Sequence, residues 1–159
     1  MRSYSSIQGI DTVKLEYTKN SNGNTSGRPK APLVLLHGLF GSKQNWGAIA
    51  RRLAQELERD VYCVDQRNHG DSGHLVPHTY EAMSADLVRF IQDHGLDAPI
   101  LMGHSMGGKV VMRTALERPD LVSQLIVDDM VPTEFRLHHD FTAYVAKLLE
   151  IEAANVASQ

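Results

Sequence analysis

The chain has a single cysteine, no apolar run long enough to cross a bilayer and no surplus of positive charge. Cys63 alone cannot close an internal disulfide, and its place in the apolar run from Val61 to Val64 argues for an inert thiol in a reducing compartment. No apolar stretch approaches the ~20 residues of a transmembrane helix, and no secretory hydrophobic region opens the sequence, so neither a membrane span nor secretion is expected. The 16 Lys and Arg are scattered and outnumbered by 19 Asp and Glu, a net charge of −3, which excludes an electrostatic grip on nucleic acid or on a membrane surface. Internal repeats and low-complexity tracts are also missing. What is present is 159 residues, 42% hydrophobic and 22% charged, enough for one globular domain with its own core.

The N-terminal residues Met1 to Ser6 carry Arg and Ser but no acid, a faint echo of a transit peptide. A short alternating segment from Val13 to Tyr17 predicts a strand, and Asn20 to Pro32, nearly all turn-formers, predicts a surface loop in which the Asn24 sequon has no special role. Four apolar runs follow: Leu33 to Leu36, Val61 to Val64, Ile100 to Met102 and Leu125 to Val127. Their near-continuous hydrophobicity predicts strands covered on both faces. Between them, Trp46, Ile49, Ala50, Leu53 and Leu57 recur at helical spacing behind Ser42 or Asn45, and Tyr80, Met83, Leu87 and Ile91 behind Thr79. A third helix starts at Ser105 and ends at Pro119. The alternation predicts an α/β fold: a mostly parallel sheet with right-handed crossovers and helices on both faces. The stripe of Phe141, Tyr144, Val145, Leu148 and Leu149 predicts a last helix, either lying on the sheet or beginning a lid.

Ligands of such sheets bind beyond the carboxyl ends of the strands. After the third run stands Gly103-His104-Ser105-Met106-Gly107, a G-x-S-x-G between a strand and a helix, the setting in which a sharp turn presents a serine as a nucleophile. After the first run, His37-Gly38-Leu39-Phe40-Gly41 offers a backbone donor for an oxyanion. Leu39 is the first choice and Phe40 the second, with Met106 as the other donor. His37, Gly38, Phe40 and His104 wall the substrate pocket, the two histidines in structural rather than catalytic roles. At the fourth strand end, Asp129 is the candidate acid, and Asp128 is a solvated charge. The run Asp65 to Gly73 contains Ser72 without elbow geometry and predicts a turn locked by Arg67 on a carboxylate. His138-His139-Asp140 lacks a third ligand at helical spacing, so neither a metal nor an organic cofactor is expected.

In this order, H-G-L-F-G, D-Q-R-N-H-G-D-S, G-H-S-M-G-G and D-x-x-P resemble the α/β-hydrolase superfamily from Pro32 to Pro132. More narrowly they are similar to a branch of bacterial short-acyl esterases, mitochondrial hydrolases of eukaryotes and yeast ethanol acetyltransferases. The resemblance implies a partial α/β-hydrolase fold: an N-terminal strand and loop over residues 1–31, the first part of the core over 32–133 and the start of a lid helix over 134–159. It implies Ser105 as nucleophile, Asp129 as acid, a small acyl ester as substrate and a mitochondrial location, the cytoplasm being the alternative. It also implies a catalytic histidine near the end of a chain nearly twice this long. None of the eight histidines here occupies such a place, which predicts weak or no hydrolysis by this chain alone. Three readings follow: a shortened serine esterase, an alcohol O-acyltransferase, or a non-catalytic half that binds a complementary C-terminal segment.

Overall fold

The computed structural model describes residues 9–21, 30–133 and 139–153. The strands are β1 Tyr17–Asn20, β2 Leu33–Leu36, β3 Val61–Val64, β4 Ile100–His104 and β5 Gln124–Asp128; the helices are α1 Gly47–Leu57, α2 Tyr80–Asp93, α3 Met106–Glu117 and α4 His139–Ala153. They form one sheet in the order β1-β3-β2-β4-β5. Only β1 runs antiparallel, against β3; β3, β2, β4 and β5 are parallel neighbours. Each parallel connection crosses over through a helix, as the alternation predicts.

The two-sided strands divide their side chains by the pleat. Val34 and Leu36 of β2, with Tyr62 and Val64 of β3, join the core beneath α2 and α3; Leu33 and Leu35, with Val61 and Cys63, face α1 through Trp46, Ala50 and Ala54. Burying both faces at once is why these runs carry no polar position. Buried among them, the Cys63 thiol is pushed up from its ordinary pKa by desolvation, which keeps it protonated and unreactive.

Helix starts follow local chemistry. Thr79 caps α2 by accepting from the Ala82 N–H, and a short 3-10 turn over Lys43–Trp46, capped by Ser42, leads into α1. Gly95 ends the α2 region at φ +56°, a left-handed conformation suited to glycine.

Two expectations need correction. The first strand is Tyr17–Asn20, so Asn20 belongs to it rather than to the loop; residues 13–16 are held by other means, with Val13 N–H donating to Asp86 and Glu16 N–H to Ser72 Oγ. Val13 and Leu15 are still buried in alternation. β5 is not covered on both faces. Among the described residues it is the outermost strand, paired with β4 alone, and Leu125 and Ile126 are 41% and 43% exposed. Of the two alternatives left open for the α4 stripe, lying on the sheet does not fit the exposure of Tyr144, Leu148 and Leu149. The Asn24 sequon, Met1 to Ser6 and His138 lie outside the described residues, and Phe141 lies outside those with described side chains.

Candidate active site

A single residue, Ser105, separates β4 from α3, and it bears φ 50° and ψ −115°. That is a conformation a residue with a Cβ rarely adopts, and it persists only where the surroundings enforce it. Here the Ser105 N–H donates to the Asp128 carbonyl at 3.0 Å and the Ser105 carbonyl accepts from the Lys109 N–H at 3.2 Å. The glycines supply clearance. A Cβ on Gly103 would stand 2.2 Å from the Gly107 carbonyl oxygen, and one on Gly107 would stand 2.7 Å from the carbonyls of Leu36 and His37. Strand, helix and loop therefore meet closely enough to leave Ser105 at the turn, at the N-terminus of α3, where the helix favours developing negative charge.

The loop after β2 passes beside it. Gly38 is pressed so near that a Cβ there would lie 3.3 Å from Ser105 Cβ and 2.9 Å from His104 Nδ1. His37 is 1% exposed, with its Nδ1 2.8 Å from the Gly38 carbonyl and its Nε2 3.1 Å from the Gln66 N–H. A carbonyl only accepts and a backbone N–H only donates, so the ring is neutral with its proton on Nδ1. Burial pushes its pKa below the ordinary 6.5, and nearby His69 adds to the effect. Gln66 returns a bond from its side chain to the His37 carbonyl at 2.6 Å. The described hydrogen bonds of this loop, among them Gly41 N–H to the Gly38 carbonyl, use neither the Leu39 nor the Met106 N–H. Met106 opens α3, whose first N–H groups have no intrahelical acceptor. Phe40 is 63% exposed at φ 61°.

The loop after β3 is a scaffold. Fully buried Arg67 reaches Asp86 through two bonds, Nε at 2.5 Å and Nη2 at 2.8 Å, and also donates to the carbonyls of Pro77 and Asp11. Ser72 is buried, donating to the Asp65 carbonyl and accepting from the Glu16 N–H, so its hydroxyl is fully occupied. Burial alone would raise the Asp65 pKa, but bonds from the Lys43 side chain and from the Asp71 and Lys43 N–H groups hold it below the ordinary value. Lys43 thereby fastens the turn before α1 to the β3 loop.

On the other side, Asp129 follows β5 at φ 51° and is exposed, as is Asp128. The Lys109 ammonium donates to the Val131 and Thr133 carbonyls and ties the segment beyond Asp129 to α3. Among the described residues no histidine hydrogen-bonds the Ser105 hydroxyl or the Asp129 carboxylate; His37, His69 and His78 stack in series at 5.1 and 5.7 Å between rings. No group of three or more His, Cys, Asp or Glu among the described residues is arranged to hold a metal, and no described helix is long and apolar enough to cross a membrane.

His37, Gly38, Phe40 and His104 do share a cleft, of about 240 Å³, which Leu39 and Trp46 also line. Sequence reasoning assigned Trp46 only to the helical stripe and did not place Lys43 or Lys109. The Ser42 capping signal puts Trp46 at the start of α1, but nothing in the pattern says that this turn faces the His37 loop.

The family model described as alpha/beta hydrolase fold matches residues 31–151. A probable alcohol acetyltransferase of Saccharomyces cerevisiae is 43% identical over 144 residues, 89% of this chain and 41% of that protein. The sn-1-specific diacylglycerol lipase ABHD11 of Danio rerio is 46% identical over 121 residues, 76% of this chain and 38% of that one. Among solved structures, a marine microorganism esterase superposes with a TM-score of 0.75 at 35% identity, covering 92% of this chain and 52% of its own. The chain spans about half the length, or less, of the curated relatives it matches.

Proposed function

The chain belongs to the alpha/beta hydrolase fold family, and from that premise we propose that it carries the nucleophile half of a serine ester hydrolase acting on small acyl esters. Ser105 Oγ attacks the acyl carbonyl, forming the acyl–oxygen bond as its proton leaves to a general base. The oxyanion rests on the Leu39 and Met106 N–H groups, the alcohol departs with the proton, and water then releases the acid from Ser105. Asp129 is the acid that orients the base. The observation that carries this reading is the backbone of Ser105, held at φ 50° between β4 and α3; such a turn serves a nucleophile and costs stability otherwise.

The base is a histidine supplied by a complementary C-terminal segment that pairs along β5. The exposed Leu125 and Ile126, on a strand bonded on one side only among the described residues, support that reading. By itself the chain then hydrolyses p-nitrophenyl acetate weakly at most, because a serine hydroxyl without its base is a poor nucleophile and retains only the residual effect of oxyanion donors and binding. The test joins residues 1–133 to the C-terminal part of the Danio rerio relative. Hydrolysis above that of the chain alone, abolished by Ser105→Ala and strongly reduced by Asp129→Asn, is expected. Hydrolysis indifferent to Ser105→Ala would overturn the proposal.

The likeness to the yeast probable alcohol acetyltransferase favours a second reading: the same acyl-serine is resolved by an alcohol instead of water. Ester formation outrunning hydrolysis, when the chimaera is given an acetyl thioester and ethanol, would select it. A mitochondrial location is proposed by family likeness, and a fluorescent fusion of the chain that stays cytoplasmic would refute it.

A further inference from the structure

Lys109 stands in the first turn of α3, at the positive end of the helix dipole, where a cation is disfavoured. Among the described residues its ammonium is paired with no carboxylate; it donates to the Val131 carbonyl at 2.6 Å and to the Thr133 carbonyl. The Lys109 N–H donates to the Ser105 carbonyl at 3.2 Å. One residue therefore holds the strained serine through its main chain and the segment beyond Asp129 through its side chain.

That segment has little else to hold it. Residues 131–133 are exposed, and among the described residues the two bonds from Lys109 are the only hydrogen bonds made to residues 129–133. The same helix lets the chain pass close by, since a Cβ on Gly108 would stand 3.1 Å from Met130 Cβ. Asp129 itself has φ 51°, a left-handed backbone that a residue with a Cβ keeps only where its flanks are held. Both flanks lead back to the serine. On one side the Asp128 carbonyl accepts from the Ser105 N–H at 3.0 Å; on the other, Val131 and Thr133 are bonded to Lys109, whose N–H is bonded to the Ser105 carbonyl.

We propose that Lys109 is a positioning residue for ester cleavage, closing this circuit so that the Asp129 carboxylate keeps a fixed place relative to Ser105. The proposal rests on the reading of Ser105 as nucleophile and Asp129 as acid, and deepens it by naming what aligns the two. Lys109 does not touch the substrate; its charge-assisted bonds to the two carbonyls, stronger than neutral ones, set the course of the chain that carries the acid. Alignment of this kind matters because a displacement of about 1 Å at a positioned group can cost a hundredfold in rate.

Lys109→Met tests this by keeping a long side chain of similar helix propensity while removing all three donors. The first measurement is made on the full chain, by backbone and carbonyl NMR, and needs no turnover. Order parameters of Asp129, Met130 and Val131 are expected to fall from about 0.85 to below about 0.6, and the Val131 and Thr133 carbonyl resonances to move upfield. Amides of β5 and α3 stay unchanged, and Lys109→Arg retains most of the order. A segment as ordered in Lys109→Met as in the parent chain overturns the proposal.

The second measurement uses the chimaera with the Danio rerio relative. Lys109→Met is expected to lower kcat about ten-fold or more with KM nearly unchanged, and Lys109→Arg to recover part of the loss. In an Asp129→Asn background the same Lys109→Met change should cost less than about two-fold, because a residue acting through Asp129 has nothing left to align. An undiminished loss in that background, or an unchanged kcat in the Asp129 protein, overturns the positioning role alone. Hydrolysis indifferent to Ser105→Ala or to Asp129→Asn strikes instead the reading on which that role rests, and removes the role with it.

Discussion

The backbone N–H of Ser105 donates to the carbonyl of Asp128 at 3.0 Å. This bond continues the β4–β5 ladder one residue past β4 itself, so the strained serine is fastened to the strand that ends beside the candidate acid. The residues proposed as nucleophile and acid share one sheet register, His104 opposite Asp128, and Asp129 itself is exposed.

Strain at the serine has a measurable sign. Ser105→Gly should be more stable than Ser105→Ala by about 1 to 3 kcal/mol, because only glycine occupies positive φ without cost. Urea denaturation of the two variants measures it, and equal midpoints would mean that the turn holds no strain.

Clearance at the two neighbouring glycines is absolute rather than conformational. Gly103→Ala sets a Cβ 2.2 Å from a backbone oxygen that no rotamer can remove, so a loss of about 3 kcal/mol or more is expected. Gly95→Ala, at a site with open space around it but φ +56°, should cost only about 1 kcal/mol. The contrast between them is read by thermal or chemical unfolding.

Acid should weaken the fold through His37. Its folded pKa lies below the ordinary 6.5 because of burial, so at a pH between the two values the unfolded chain takes up a proton that the native ring refuses. Stability is fully present above pH 6.5 and declines as pH falls toward the folded pKa. Protonating Nε2 also removes the acceptor for the Gln66 N–H. His78 shifts in the same direction through burial, His69 and Arg67; the His37 share is the part of the slope that disappears in His37→Gln.

Asp86→Asn leaves the Arg67 guanidinium buried without its counter-charge. With both groups at 0 to 1% exposure, the expected loss is about 3 to 5 kcal/mol, far above the effect of breaking the exposed Arg52–Glu56 pair, which is within about 0.5 kcal/mol. Denaturation midpoints at neutral pH separate the two cases.

Much of this was legible in order and spacing. Runs such as Leu33 to Leu36 are apolar at every position because both faces are covered, and the G-x-S-x-G junction specified its own turn. Less legible was anything decided between distant segments. Val13 to Tyr17 has the alternation of a strand, but its first residues are held by Asp86 and Ser72, partners that no local pattern reveals. Leu125 to Val127 is as apolar as its neighbours, yet it lies at the sheet edge, and hydrophobicity registers the burial a segment is suited to rather than what the described chain supplies. The cleft lined by Trp46 and His104 depends on the turn before α1 and the end of β4 both reaching the loop after β2, a property of topology alone.

The neutral ring of His37 has one more consequence. Its Nδ1 proton is enclosed between the imidazole and the Gly38 carbonyl, so it meets solvent only when the loop after β2 lifts away. Its exchange lifetime, followed as a persistent imidazole resonance in water, counts the excursions of the loop that carries Gly38 past Ser105 and bears the Leu39 amide. A proton that plays no part in the chemistry thus keeps time for the group proposed to stabilise the oxyanion.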